Sequence, residues 1–136
     1  MKYLLDTNAW IGWLRQNQPG IVQRIQQEPA SELALCSVVI GELIYGAERS
    51  GTTHRAGNLA LLAQLRGQFA SVFFDDRAAE VYGQIRADLA VRGQLIGHND
   101  LMIAAIALAN RLTLVTHNTS EFNRVPGLTV EDWQVP

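Results

Sequence analysis

Cysteine and lysine each occur once in this chain, at Cys36 and Lys2. A lone cysteine excludes an internal disulfide, and the apolar residues around Cys36 point to a buried core thiol rather than a reactive one. Long apolar runs are missing too: LALCSVVI at 33–40 and MIAAIALA at 102–109 fall far short of the roughly 20 residues that span a bilayer. The N-terminus does not read as a signal peptide, because Asp6 interrupts its apolar stretch. A soluble, cytoplasmic protein is expected. There is no excess of positive charge either: 11 basic against 13 acidic residues give a net charge of −2. That excludes a surface dominated by nucleic-acid binding, but not a nuclease, since acidic metal ligands subtract from the total. All the basic residues but Lys2 are arginine, the better fork for phosphate. Internal repeats and low-complexity stretches are absent, and glycine and proline are scattered. What remains, 136 residues of which 48% are hydrophobic, suits one compact domain over 1–136.

The pattern along the chain alternates between strand and helix. KYLL at 2–5 reads as a short strand, with Thr7 or Asn8 capping a helix that carries Trp10, Ile11 and Leu14. Pro19 suits the first turn of a second helix ending near Gln27. ELALCS (32–37) reads as a buried strand, followed by a helix VVIGELIYGAERS stopped by Gly51. A further helix runs from Thr52 or Thr53 to about Gly67. SVFF (71–74) is a strand ending in Asp75 and Asp76, which cap a helix reaching Arg92 and stopping at Gly93. Its stripe of Ala79, Tyr82, Ile85 and Leu89 has helical spacing. GQLIGHN is a loop, Asp100 begins an apolar helix, TLVT (113–116) is a strand, HNTSEFNRVPG a loop and LTVED a short last strand. Such alternation predicts an α/β fold: a mainly parallel twisted sheet of about four or five strands, with helices on both faces.

Parallel sheets bind ligands beyond the carboxyl ends of their strands, so the acids that fall there matter most. Asp6 ends the first strand, Asp100 opens the buried helix, and Glu121 lies in the loop after TLVT. Taken singly, Asp6 is an ordinary cap, Asp100 a first-turn acid and Glu121 a loop acid. Together they map to one end of the sheet. Glu42 stands one turn into a helix among apolar residues, where an unpaired buried charge is costly. Carboxylates forced together repel, so a cation must hold them or some must stay protonated. Oxygen-only donors select Mg²⁺ or Mn²⁺, and that chemistry suits hydrolysis of a phosphodiester.

DTNAWI at 6–11, SVVIGELIYGAERS at 37–50, IRADLAVRGQLIGHNDLMIAA at 85–105 and LVTHNTSEFNRVPGLTVEDW at 114–133 resemble, in order, the motifs of PIN-domain ribonucleases. More narrowly the chain resembles the VapC toxins of VapBC toxin–antitoxin modules. The resemblance implies a PIN-like three-layer fold and a Mg²⁺- or Mn²⁺-dependent endoribonuclease toxin, acting on RNA such as the anticodon loop of a tRNA. It implies Asp6, Glu42 and Asp100 as metal ligands: Asp6 and Asp100 position the attacking water, and Glu42 helps polarise it. Glu121 in THNTSEF completes the catalytic set where many members place aspartate; Thr116 and Asn118 contribute through bound water. Thr7 and Asn8 orient Asp6 by hydrogen bonds. The expected partners are a VapB-type antitoxin with its tail in the site, a second copy of the chain, and promoter DNA only through the antitoxin.

Two rivals remain. One is an inactive PIN scaffold that binds protein or RNA; the intact acids weigh against it. The other is a phosphotransfer protein with a reactive Asp6, disfavoured because D-T-N replaces the needed D-x-D and no lysine follows a late strand. Other residues have plainer readings: exposure or RNA contact for His98 and His117, and core or interface burial, ahead of stacking on bases, for Trp10, Trp13, Trp133 and Tyr45. Arg86 either faces the acidic pocket, offsetting charge or holding a phosphate, or makes a surface ion pair.

Overall fold

Three consecutive core residues decide where the sheet begins. Tyr3, Leu4 and Leu5 are all buried and form the central strand β1 (Tyr3–Leu5). The computed structural model describes residues 1–134. After β1 come α1 (Thr7–Arg15), α2 (Pro19–Gln27), β2 (Leu33–Cys36), α3 (Ser37–Glu48), α4 (Arg55–Gln68), β3 (Ala70–Val72) and α5 (Asp76–Val91). Then follow α6 (His98–Ala109), β4 (Thr113–Val115), the one-turn α7 (Thr119–Phe122) and β5 (Val130–Glu131). The five strands lie in the order β3-β2-β1-β4-β5 and every pairing is parallel, as the alternation predicts.

This order places the site. The chain winds from β1 through β2 to β3 on one side, then returns to add β4 and β5 on the other, so the direction of winding reverses between β1 and β4. The crevice outside the strand ends at such a reversal is where open α/β sheets bind ligands. The register pairs Leu5 with Val115, which sets Asp6 and Thr116 side by side at that crevice.

The strands are buried on both faces, so they read as continuous apolar runs rather than alternating ones. α6 is buried nearly all round, with Leu101, Ile103 to Ala107 and Ala109 enclosed. That leaves its polar start, His98 to Asp100, as the part free to serve the site. The C-terminal segment is tied back by Trp133, which packs edge-on against Tyr3 at 5.0 Å between centroids, with the Arg24 guanidinium 4.4 Å above its ring. Gly20 makes room for that segment, because a Cβ there would strike the Trp133 carbonyl. No helix among the described residues is long and apolar enough to cross a membrane.

Local boundaries differ from expectation in instructive ways. Asp6, not Thr7 or Asn8, is the N-cap of α1, its Oδ1 accepting from the Ala9 N–H at 2.9 Å. β3 stops at Val72 because it lies at the sheet edge, and the Phe74 N–H donates to the Ser37 hydroxyl instead of continuing the ladder. Asp75 caps α5 through the Ala78 N–H, as read from sequence, and Gly93, at φ +66°, follows its end. α6 begins at His98, two residues before Asp100, and the expected loop 117–127 contains α7. Cys36 is buried in the core, and burial pushes its thiol up to about 11.

Candidate active site

Asp6 is one of only two buried polar side chains among the described residues; the other is its neighbour Thr116. Burial holds the Asp6 carboxyl above the ordinary aspartate range. The Thr116 hydroxyl and the Ala9 N–H act the other way, and the charges of Glu42 and Asp132 add to the rise. A carboxylate placed at a helix N-terminus, beside the free N–H groups of the first turn, is partly offset by their dipoles. Strand register and helix capping thus place the same side chain.

Glu42 enters from the second turn of α3. Its Oε1 accepts from the Thr7 hydroxyl at 2.7 Å, which ties α3 to α1 directly over the end of β1. Thr7 therefore aims Glu42, not Asp6 as the sequence reading had it, and no side-chain hydrogen bond from Asn8 to Asp6 is present among the described residues. The orienting role expected of those two belongs instead to Ala9 and Thr116.

Asp100 comes from the first turn of α6 and is half-buried. Its carboxyl is pushed up to about 6, first by burial and then by the charges of Glu121, Glu42 and Asp6. That dependence brings four sequence-predicted acids into one electrostatic neighbourhood. Glu121 is held by Asn118, whose Nδ2 donates to Oε2 at 3.0 Å, while the Asn118 N–H donates to the Thr116 hydroxyl at 3.0 Å. Thr116 and Asn118 thus form one connected turn between Asp6 and Glu121.

Sequence reasoning missed Asp132, which follows β5. It takes the His117 ring nitrogen at 2.8 Å and the Gln134 N–H at 2.9 Å, and its charge acts on Asp6. The signal was available, since an acid at the carboxyl end of a parallel strand is the same rule that picked out Asp6. His117 is exposed and engaged by Asp132; His98 lies with its Nδ1 3.3 Å from the Tyr82 hydroxyl. Arg86 makes no ion pair among the described residues and donates to the Tyr82 hydroxyl, which lies 3.3 Å from His98 Nδ1. Trp10 and Trp133 are core residues, Trp13 is half-buried, and Tyr45 is 62% exposed.

Among the described residues no three His, Cys, Asp or Glu side chains close tightly enough to enclose an ion as they stand. Asp6, Glu42 and Glu121 are each turned toward a protein donor instead. Every one of the grouped acids is nevertheless an oxygen donor with unused lone pairs, which fits a hard divalent cation and no softer one.

Comparison with known proteins decides the lineage. The PIN domain family profile matches residues 3–128. A tRNA(fMet)-specific endonuclease VapC of Shigella flexneri is 41% identical over 133 residues, covering 98% of both chains. The chain is a PIN-domain protein of the VapC ribonuclease family. A second VapC, the tRNA(fMet)-specific endonuclease of Salmonella typhimurium, is 38% identical over 98% of both chains. Two solved VapC assemblies share the PIN fold over 98% of this chain: DNA-bound VapBC from Salmonella typhimurium (TM-score 0.90, 37% identity, 98% of that chain) and VapBC2 from Rickettsia felis with a promoter DNA fragment (TM-score 0.88, 32%, 99%). The α/β PIN architecture and the VapC resemblance read from the sequence are both confirmed.

Proposed function

We propose that this VapC is the Mg²⁺- or Mn²⁺-dependent endoribonuclease toxin of a type II toxin–antitoxin module, cutting tRNA, with the initiator species and its anticodon loop as first candidate, and so inhibiting translation in the cytoplasm. The observation that carries this reading is the gathering of Asp6, Glu42, Asp100 and Glu121 where the winding of the sheet reverses, with Asp100 pushed up to about 6 by burial and then by the charges of the others. Crowding acids costs stability, and a binding scaffold gains nothing from it. The names of the 38–41% identical relatives supply the substrate candidate.

Asp6, Asp100 and Glu42 are the ligands in this reading, with Glu121 at the margin of the set. A divalent cation bound there lowers the pKa of a water and neutralises charge on the phosphate. The chain's own part is arrangement. Asp6 is fixed by the α1 cap and by Thr116, and Glu42 by Thr7, so neither needs to reorganise when substrate arrives. Asp100, facing Asp6, Glu42 and Glu121, joins Asp6 in positioning the attacking water, and Glu42 helps to polarise it. Asn118 holds Glu121 at the side of the site formed by β4 and α7.

The antitoxin partner follows from the VapBC assemblies of the relatives and from charge. A basic side chain on a flexible antitoxin tail satisfies the acids that repel one another when empty. Beside Glu42, an apolar groove between α1, α3 and α4, with a cavity of about 200 Å³ lined by Ile11, Leu14, Leu43, Leu61 and Leu62, suits the rest of such a tail. Homodimerisation and an indirect, antitoxin-borne link to promoter DNA complete the proposal.

The test is cleavage of total tRNA by the purified protein with Mg²⁺ or Mn²⁺, alongside Asp6→Asn and a chelator control, with the new ends mapped. Cuts at one tRNA site, lost in the variant and the chelator, are the expected result. Equal cutting by the wild type and Asp6→Asn, or none by either with antitoxin absent, would overturn the reading.

A further inference from the structure

The pattern Y-G-x-x-R occurs twice, as YGAER at 45–49 on α3 and YGQIR at 82–86 on α5. The spacing of four puts ring and guanidinium on one helix face, and both pairs close in the same way. Arg49 donates from Nη1 to the Tyr45 hydroxyl at 3.0 Å, and Arg86 from Nη1 to the Tyr82 hydroxyl at 3.1 Å. The guanidinium carbons lie 5.3 and 5.9 Å from the respective ring centroids.

Neither arginine has an acidic partner among the described residues, whereas Arg24, Arg55 and Arg92 do. A neutral hydroxyl orients the fork without cancelling its charge, so the remaining N–H groups stay available to an anion. Each pair also leads away from a different acid of the centre. Tyr45 and Arg49 lie one and two turns beyond Glu42 on the same face of α3. Tyr82 reaches across to His98, two residues before Asp100 on α6. The glycine after each tyrosine is a poor helix former. A Cβ at Gly46 or Gly83 would meet nothing within 4 Å; Tyr45 is exposed, whereas the Tyr82 ring is half-buried and lies edge-on to Phe74 at 5.9 Å between centroids.

We propose that Tyr45–Arg49 and Tyr82–Arg86 are two arms that grip the RNA backbone on either side of the acidic centre, the arginines on phosphates, the exposed Tyr45 ring against a base and the packed Tyr82 ring as the anchor of Arg86. This rests on the ribonuclease reading, and it answers a problem that reading creates: an acidic centre in a chain of charge −2 repels a polyanion unless cations are placed beside it. Rings of this kind stack on unpaired bases without regard to sequence.

The test is binding of a fluorescein-labelled single-stranded oligoribonucleotide of mixed sequence, by anisotropy in chelator across a salt series. Arg49→Ala and Arg86→Ala are each expected to lower the slope of log affinity against log salt by about 0.7, and the double variant by about 1.4. Lys2→Ala, at the opposite end of β1, leaves the slope unchanged. Tyr45→Phe and Tyr82→Phe keep the rings and remove the anchors, so they show smaller losses and remain informative should an alanine variant misfold. In cleavage assays the arginine variants raise KM several-fold at unchanged kcat. A double variant with the wild-type slope overturns the arms while leaving the nuclease reading intact, and so does one that loses only its affinity for the antitoxin. Arginine-dependent binding by a wild-type protein that cuts no RNA supports the arms and overturns the nuclease.

Discussion

Replacing Asp100 by asparagine removes a charge that the folded state resists. Its carboxyl rises from 3.8 to about 6 on folding, through burial and three neighbouring acids. Below about pH 4 both folded and unfolded chains carry the proton and the group is neutral to stability. As the pH climbs through the folded value near 6 the unfolded chain ionises first, so this relative stability is lost and is fully absent by about pH 7. Roughly two pH units of displacement correspond to about 3 kcal/mol, which partial exposure and solvent screening reduce to about 1–2 kcal/mol. Asp100→Asn, nearly isosteric, is therefore expected to raise the melting temperature of the chelator-treated protein by about 3–8 °C at pH 8, and hardly at all at pH 4. Differential scanning calorimetry at the two pH values measures this directly. An equal rise at both, or none at pH 8, would refute the claim that charge crowding is stored at this site. Millimolar Mn²⁺ should then reverse the order at pH 8, because an ion bound by the folded wild type stabilises it by mass action while the variant has lost a ligand.

Other consequences are checked more simply. Thr7→Val frees Glu42 while keeping the shape of the side chain, and should lower kcat/KM for RNA about 10- to 100-fold, the usual effect of removing a group that orients a ligand; wild-type rates would show that Glu42 is held otherwise. Cys36 should resist a thiol-labelling reagent at pH 8 until denaturant is added, and rapid labelling of the native protein would contradict its burial. Trp133→Ala removes the ring that packs on Tyr3 and under Arg24. It should destabilise the protein by about 3–5 kcal/mol in urea titrations, and a loss under 1 kcal/mol would mean that the C-terminal segment contributes little.

One topological rule, acids at the carboxyl end of a parallel sheet, brought Asp6, Asp100 and Glu121 together from sequence because it needs only strand positions and not their lengths, whereas Glu42, inside α3, was picked out by its apolar surroundings and the family motif. Local chemistry also sufficed for α2, which starts at Pro19, and for α5, capped by Asp75 and followed by Gly93. It failed where tertiary structure chose among equals. Asp6, Thr7 and Asn8 are all good capping residues, and only the presence of Glu42 across the crevice draws Thr7 away from a cap. β3 lost its last two residues because an edge strand has one partner, a fact invisible in SVFF. Asp132 was passed over although the strand read as LTVED ends on it, because β5 lies at the sheet edge, away from the strand that carries Asp6. Arg86 was weighed as a partner of acids or of a phosphate, whereas the structure ties it to a hydroxyl on its own helix.

The double duty of Asp6 bears on how such a chain evolves. Its side chain closes the first turn of α1 as well as serving the site, and asparagine caps a helix as well as aspartate does. On the proposed function, a single substitution there would disarm the molecule while leaving the turn closed, and it would also remove a buried charge. The change at Asp100 acts in the same direction. Harmless descendants of this protein therefore lie downhill in folding free energy from the active one. A lineage retaining all of the acids does so against that slope, held there by selection on activity alone.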